Sequence, residues 1–159
     1  MLEWILFICL LRGTVSLRLV SLDVPEKVAR GQGIKLTCGY DLEGDVLYSI
    51  KWYRDDVEFF RYVPTDRPPG QFFPLQGIKV DIGRSNDGSV YIRDISDLTA
   101  GIYKCEVSAD APSFQTVSAE KPMAVQESSG HVQLAADHGN INFLLLTILL
   151  ILQWRYHMW

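Results

Sequence analysis

Residues 101–107 read Gly-Ile-Tyr-Lys-Cys-Glu-Val, and they are the most informative segment for the fold class. Apolar and polar side chains alternate along it, which is typical of a β-strand with one buried face and one exposed face. Tyr103 and Cys105 then point into the core, and Lys104 and Glu106 point outward. The same alternation places Cys38 on the buried face of an earlier strand that begins near Ile34.

The cysteine content restricts the fold further. Cys9 lies in the N-terminal apolar stretch, so the remainder of the chain holds only Cys38 and Cys105. Behind a secretory signal, such a pair is most simply a disulfide, because the secretory compartment is oxidising. Closing a loop of this length contributes about 4.4 kcal/mol of stability in the chain-entropy description.

Two aromatic residues stand at fixed distances from these cysteines. Trp52 follows Cys38 by 14 positions, and Tyr103 precedes Cys105 by two. In immunoglobulin domains a buried Trp on strand C packs on the disulfide between the sheets, and a Tyr at this position bonds back to the main chain. The sequence therefore predicts an all-β fold, a single variable-type immunoglobulin-like β-sandwich over residues 17–125 with one inter-sheet disulfide. The long interval between the cysteines leaves room for the extra strands of the variable type.

The N-terminal residues 1–16 do not resemble part of a globular domain. An unbroken apolar run over residues 4–11 is followed by small residues that end at Ser16, as in a secretory signal peptide. The run is too short to span a bilayer. The alternative is that this segment forms a buried strand or helix of the mature fold.

The C-terminal end has a polar segment, residues 126–142, and a hydrophobic tail, residues 143–159. Small residues at 128–130, a polar spacer and an apolar tail are the pattern of a glycolipid-anchor signal, with Ser128 as the attachment site. A short or tilted transmembrane segment and a simply secreted product are the alternatives. In each case the sequence predicts an extracellular protein, held on the outer face of the plasma membrane or released.

Residues that carry chemistry are scarce in the predicted domain. His131, His138 and His157 all lie beyond it, which removes histidine-based catalytic triads and the usual zinc sites. The formal net charge is −4, without a basic run that would attract a nucleic acid. We therefore expect no enzyme activity, no metal, no cofactor and no nucleic-acid partner, and contact with a membrane only through the C-terminal anchor.

Four segments carry a closer resemblance. The chain resembles the Beaten path family of insect immunoglobulin-superfamily proteins in residues 48–53 (Tyr-Ser-Ile-Lys-Trp-Tyr) and in residues 58–64 (Glu-Phe-Phe-Arg-Tyr-Val-Pro). Residues 68–75 (Pro-Pro-Gly-Gln-Phe-Phe-Pro-Leu) and residues 105–118, which start Cys-Glu-Val-Ser-Ala-Asp, add to it. The resemblance covers residues 17–125. Members of that family usually continue into a second immunoglobulin domain, where this sequence continues into the polar segment.

The resemblance implies a neuronal recognition protein that acts in axon guidance and cell adhesion by binding Sidestep-type immunoglobulin-superfamily receptors on other cells. The contacts are then expected on the outward face of strands C, C′, F and G. This predicted face comprises Lys51, Tyr53, Phe60, Arg61, Tyr62, Glu106 and Gln115. Alternatively, the segment 68–75 covers strand C′ and hides its phenylalanines. A soluble ligand or decoy, and a structural module with homophilic contacts only, are the alternative functions.

Overall fold

The computed structural model describes residues 16–127, and these residues form nine β-strands and two short 3₁₀ helices. The 3₁₀ helices are Ile82–Arg84 and Asp97–Thr99. The strands are β1 (Arg18–Asp23), β2 (Lys27–Ala29), β3 (Ile34–Asp41), β4 (Leu47–Arg54), β5 (Val57–Tyr62), β6 (Gly70–Phe72), β7 (Ser89–Ile92), β8 (Gly101–Ala109) and β9 (Thr116–Gln126).

The strands form two sheets that pack face to face. One sheet has the order β1-β3-β7, and the other has the order β2-β9-β8-β4-β5-β6. All neighbouring strands are antiparallel except β2 and β9, which run parallel. The presence of β5 and β6 beside β4 confirms the predicted variable-type sandwich, because these strands occupy the positions of C′ and C″.

The disulfide joins the two sheets at their centre. Cys38 on β3 is bonded to Cys105 on β8, with their Cα atoms 6.3 Å apart. Trp52 on β4 is fully buried in the same core. The rings of Phe59 and Tyr103 pack edge to face in this core, with their centroids 6.0 Å apart. The predicted disulfide is thus confirmed, and the signature tryptophan and tyrosine lie in the core around it.

A β-bulge in β5 decides which aromatic residues enter the core. Phe60 lies opposite Trp52 and Glu58 lies opposite Tyr53, so Phe59 is an extra residue without a partner on β4. Such a bulge interrupts the alternation of side chains. Phe59 and Phe60 are therefore both fully buried. The prediction that Phe60 faces a partner was wrong. It assumed simple alternation, which places one of the two phenylalanines outside, whereas the bulge turns both inward.

Several sequence predictions lie outside residues 16–127. These are the signal peptide up to residue 15, the lipid-anchor site Ser128, the rest of the polar segment and the hydrophobic tail. At the boundaries that the structure does describe, Leu17 is buried and β9 ends at Gln126. Among the described residues, no helix has the length and apolar character needed to cross a bilayer.

Candidate protein-binding face

The outer face of the six-stranded sheet brings together four of the predicted contact residues. Lys51 lies directly opposite Glu106 on β8 and opposite Arg61 on β5, and Tyr53 lies opposite Lys104. Opposite residues of an antiparallel pair point to the same side of the sheet. Because Trp52 and Cys105 point into the core, Lys51, Tyr53, Arg61 and Glu106 all point outward.

Glu106 is the centre of the first polar cluster on this face. Its Oε1 accepts hydrogen bonds from Lys51 Nζ at 3.0 Å and from the Tyr53 hydroxyl at 3.3 Å. The side chains of Lys51 and Glu106 keep only about a quarter of their surface exposed. Partial burial, followed by the negative charges of Glu106 and Glu58, raises the pKa of Tyr53 to about 12. The phenol therefore remains a neutral hydrogen-bond donor at physiological pH.

A second cluster lies next to it on β5. Arg61 donates to both carboxylate oxygens of Glu58, with Nε at 2.7 Å from Oε1 and Nη2 at 2.9 Å from Oε2. The hydrogen bonds to Glu58 raise the pKa of Arg61 above its usual value. The guanidinium also lies over the ring of Phe73, 5.5 Å from its centroid. The paired geometry holds Arg61 in one orientation on the face.

Lys104 extends the face toward the β4–β5 turn. Its ammonium group is 4.9 Å from the centroid of the Tyr53 ring and donates to the carboxylate of Asp56. The hydrogen bond to Asp56 raises the pKa of Lys104. Cation–π contact with Tyr53 links this pair to the Glu106 cluster. The face therefore consists of two neighbouring clusters of paired charges, one of them built around Tyr53, and most of their side chains are half-buried.

Two further predicted contact residues lie elsewhere. Tyr62 is half-buried and packs against the core, because it is two positions from Phe60 and opposite the buried Ile50. Gln115 precedes β9, and its side-chain oxygen accepts hydrogen bonds from Ser16 Oγ and from the backbone N–H of Leu17. The prediction that Tyr62 and Gln115 belong to the outward face was wrong. Tyr62 contributes to the core, and Gln115 fastens the start of the described chain.

The structure also exposes three apolar residues that the sequence interpretation did not include. Val46, Tyr48 and Phe114 have 61%, 55% and 72% of their surface exposed. We call these three residues the apolar tip. Val46 precedes β4, Tyr48 is an unpaired residue at a register shift between β4 and β8, and Phe114 lies in the β8–β9 loop. Only the run of small and polar residues around Phe114, typical of a loop, signals this exposure in the sequence.

The loops that carry the apolar tip are tied to each other. Asp110 donates its backbone N–H to the carbonyl of Val46 at 2.8 Å, and the Ser113 hydroxyl donates to Asp45 at 2.7 Å. Phe114 has a φ of 49°, in the left-handed region that aromatic residues rarely adopt. An exposed aromatic side chain on a loop in an unfavourable backbone conformation is more typical of a contact residue than of packing.

The arrangement of paired charges around Tyr53 is suited to binding a macromolecule. Among residues 16–127, no three His, Cys, Asp or Glu side chains are grouped to hold a metal ion. The raised pKa of Tyr53 keeps its phenol protonated near neutral pH, so this hydroxyl is not activated as a base or nucleophile.

Comparisons with known proteins agree with the fold. The model of the immunoglobulin V-set domain matches residues 23–125. The V domain of amphioxus IgVJ-C2 is 18% identical, with 62% of this chain and 97% of that chain covered and a TM-score of 0.50. Murine CRIg is 23% identical, covering 68% of this chain and 97% of that chain, with a TM-score of 0.46. Murine CEACAM1b is 18% identical, covering 70% of this chain and 53% of that chain, with a TM-score of 0.48.

No curated protein sequence matches the chain. At 18% identity and a TM-score of 0.50, the likeness to the amphioxus V domain bears on the fold alone. The V-set match extends over most of the described domain and well over half of the chain, and it includes both bridged cysteines, Trp52 and Tyr103. The chain belongs to the immunoglobulin V-set family.

Proposed function

We propose that this protein is an extracellular recognition protein that binds a Sidestep-type immunoglobulin-superfamily receptor on another cell and thereby acts in axon guidance and adhesion. The observation that carries the proposal is the outer face of β4, β5 and β8. There, Lys51, Tyr53, Arg61 and Glu106 lie together and remain accessible. Glu106 holds Lys51 and Tyr53, and Glu58 holds Arg61. The function requires recognition only, without catalysis.

The chemistry of the face favours specificity over indiscriminate adhesion. Its charges are already paired, so a partner must present groups that replace or extend those hydrogen bonds when water is removed. A wrong partner would bury these charges without compensation. Because the side chains are held in place before binding, little side-chain entropy remains to be lost on association.

The apolar tip offers exposed apolar surface that a partner can bury, which the polar face lacks. Interfaces draw much of their affinity from a few large side chains that become fully desolvated, with Tyr and Trp prominent among them. Phe114 and Tyr48 are large and exposed, and the loops beside them are joined by hydrogen bonds, so they fit this role. In the proposed complex, the tip anchors the receptor and the polar face selects it.

The receptor class is proposed from the resemblance of the quoted segments to the Beaten path family. Two of those segments carry the face: residues 48–53 contain Lys51 and Tyr53, and residues 58–64 contain Arg61. A third, residues 105–118, contains Glu106 and Phe114. Three of the four quoted segments therefore contribute residues to the proposed contact surface.

We also propose that the protein is held on the outer face of the plasma membrane by a lipid attached at Ser128. V-set domains are typical of extracellular and cell-surface proteins, and a disulfide is stable there. Treating intact expressing cells with a phospholipase that cleaves glycolipid anchors would release the protein into the medium. Protein already in the medium before treatment would indicate a soluble ligand instead, and protein that stays on the cells would indicate a membrane-spanning tail.

A binding screen tests the proposed function. Purified residues 17–127 would be presented to a panel of Sidestep-type receptor ectodomains displayed on cells, with unrelated immunoglobulin-superfamily ectodomains as the control panel. The proposal predicts saturable binding to at least one Sidestep-type receptor and none to the control panel. A folded domain that binds no Sidestep-type receptor would contradict the proposed partner class.

A further inference from the structure

One edge of the six-stranded sheet is only partly used within the domain. β9 pairs with β8 through eight residues, from Thr116 to Met123, without any register shift. On its other side, β9 pairs with β2 only at residues 124–126. Among residues 16–127, no strand pairs with β9 on that side between Thr116 and Glu120.

The direction of the backbone groups on this edge follows from two hydrogen bonds. The N–H of Ala109 on β8 donates to the carbonyl of Gln115 at 2.8 Å, so Gln115 points its carbonyl toward β8. On the other side of β9, the N–H of Ala124 donates to the backbone carbonyl of Glu26 at 2.8 Å. Since these directions alternate along an antiparallel strand, Thr116, Ser118 and Glu120 direct their N–H and C=O groups away from β8, toward the open edge.

The sheet edges formed by β1 and β6 carry features that discourage pairing. β1 has a register shift between Leu19 and Ser21. β6 is only three residues long, and Pro69 and Pro74 lie close on either side of it. Bulges, short strands and prolines are the usual means of blocking an edge. The stretch 116–120 of β9 lacks all three, and its backbone donors begin to fail only at Pro122.

We propose that two copies of this chain pair antiparallel along residues 116–120 of β9, with the two-fold axis at Ser118. In this register Ser118 faces Ser118 of the second copy, and Thr116 faces Glu120. Every free N–H of the stretch then meets a C=O of the other copy. On the inner side of the sheet, Val117 meets Ala119, so apolar groups meet apolar groups.

Neighbouring registers satisfy fewer groups. An axis at Ala119 would place Thr116 opposite Pro122, which has no N–H to donate. An axis at Glu120 would place two like charges directly opposite each other, which destabilises strand pairing. An axis at Val117 would place Glu120 opposite Phe114, which has a φ of 49° and is not part of a strand. The register centred on Ser118 is the one that uses the whole edge.

Such pairing would join the six-stranded sheets of two copies into one continuous sheet. The outer faces with Tyr53 and Arg61 would then lie side by side and point in the same direction, and β4 and β5 would remain uncovered. Two adjacent binding faces on one cell raise the apparent affinity for receptors clustered on another cell without a new contact. The pairing itself does not depend on the identity of the receptor.

Cysteine cross-linking of the full chain in secreting cells tests the register. The Cα atoms of a directly opposed hydrogen-bonded pair are about 5.5 Å apart, within the range of roughly 4.4–6.8 Å that a disulfide bridges. Ser118→Cys should therefore shift the protein from monomer to a covalent dimer on a non-reducing gel. Thr116→Cys and Glu120→Cys, each expressed alone, are matched controls on the same edge and should remain monomeric like the wild type. When the Thr116→Cys chain and the Glu120→Cys chain are expressed in the same cells, the two chains should cross-link to each other.

The result that overturns the proposal is equally specific. If Ser118→Cys stays monomeric, or if Thr116→Cys alone cross-links as well as Ser118→Cys does, the proposed pairing is wrong. Neither result would bear on the receptor screen, in which no cysteine variant is used.

Discussion

The hydroxyl of Tyr103 donates a hydrogen bond to the backbone carbonyl of Thr99, with an O···O distance of 2.6 Å in the interior of the domain. Thr99 belongs to the 3₁₀ helix Asp97–Thr99, and its own hydroxyl donates to the carbonyl of Gly77 at 2.8 Å. Both residues are fully buried. The bond therefore ties the start of β8 to the turn before it in a place that water does not reach.

Removing the Tyr103 hydroxyl should lower the free energy of unfolding. Tyr103→Phe leaves a buried carbonyl without its partner, which costs about 1–3 kcal/mol of unfolding free energy. Tyr53→Phe is the matched control, because its hydroxyl makes a longer bond on the half-buried outer face and should change stability by about 0.5 kcal/mol or less. Urea unfolding of the two variants measures the difference. Equal losses of unfolding free energy in the two variants would show that the Tyr103 hydrogen bond stabilises the domain no more than the Tyr53 bond does.

The same residue should make the fold sensitive to alkali. Burial raises the pKa of Tyr103 well above its usual value, so the folded state favours the neutral phenol. Its contribution to stability is then complete below the unfolded pKa of about 10 and is lost as the pH rises toward the folded pKa. Unfolding free energy should fall steadily above pH 10 or so, with a shallower slope in Tyr103→Phe. Parallel slopes for the variant and the wild type would contradict this assignment.

The bulge in β5 makes a prediction about Phe60. Because the side chain is fully buried, Phe60→Ala should cost about 3–5 kcal/mol of stability. Tyr48→Ala, at a position with 55% exposure, should change stability by about 0.5 kcal/mol or less. Thermal or urea unfolding compares the two. A loss below about 1 kcal/mol for Phe60→Ala would mean that Phe60 lies outside, as simple alternation suggests.

The apolar tip makes a separate prediction about binding. Phe114→Ala removes a side chain that is 72% exposed, so the domain should keep its stability. Its affinity for the receptor found in the screen should fall at least about tenfold, as expected when a large anchoring side chain is truncated. Leu98→Ala, 58% exposed near the far end of β4, is the control and should bind like the wild type. Surface plasmon resonance measures both, and an unchanged dissociation constant for Phe114→Ala would exclude the tip from the interface.

The sandwich was predictable because its signature depends on spacing and alternation. The two cysteines, Trp52 and Tyr103 specify the V-set core at fixed separations, and the structure has the predicted inter-sheet disulfide. Lys51, Tyr53 and Glu106 were placed outside correctly because β4 and β8 alternate regularly around Trp52 and Cys105.

The errors arise where regular pairing stops. Phe60 and Tyr62 were misplaced because an inserted residue at Phe59 shifts the alternation of β5, and a bulge depends on contacts with β4 that the local sequence does not contain. Gln115 was misplaced because its side chain bonds to Ser16 and Leu17, almost a hundred residues earlier in the chain. Phe114 was missed because exposure in a loop depends on its backbone conformation, which alternation does not describe.

A matched pair of double mutants tests whether the outer face of β4, β5 and β8 binds the receptor. Tyr53→Ala with Arg61→Ala removes one Tyr and one Arg from this face. Arg84→Ala with Tyr91→Ala removes the same two residue types away from this face: Tyr91 lies on β7 of the other sheet, and Arg84, in the 3₁₀ helix Ile82–Arg84, stacks on its ring with Cζ 3.4 Å from the centroid. The measurement is the dissociation constant of each variant for the receptor identified in the screen. We predict an affinity loss of about 100-fold or more for the first variant and a wild-type constant for the second. Equal affinities of the two variants, or a loss confined to the second, would contradict it.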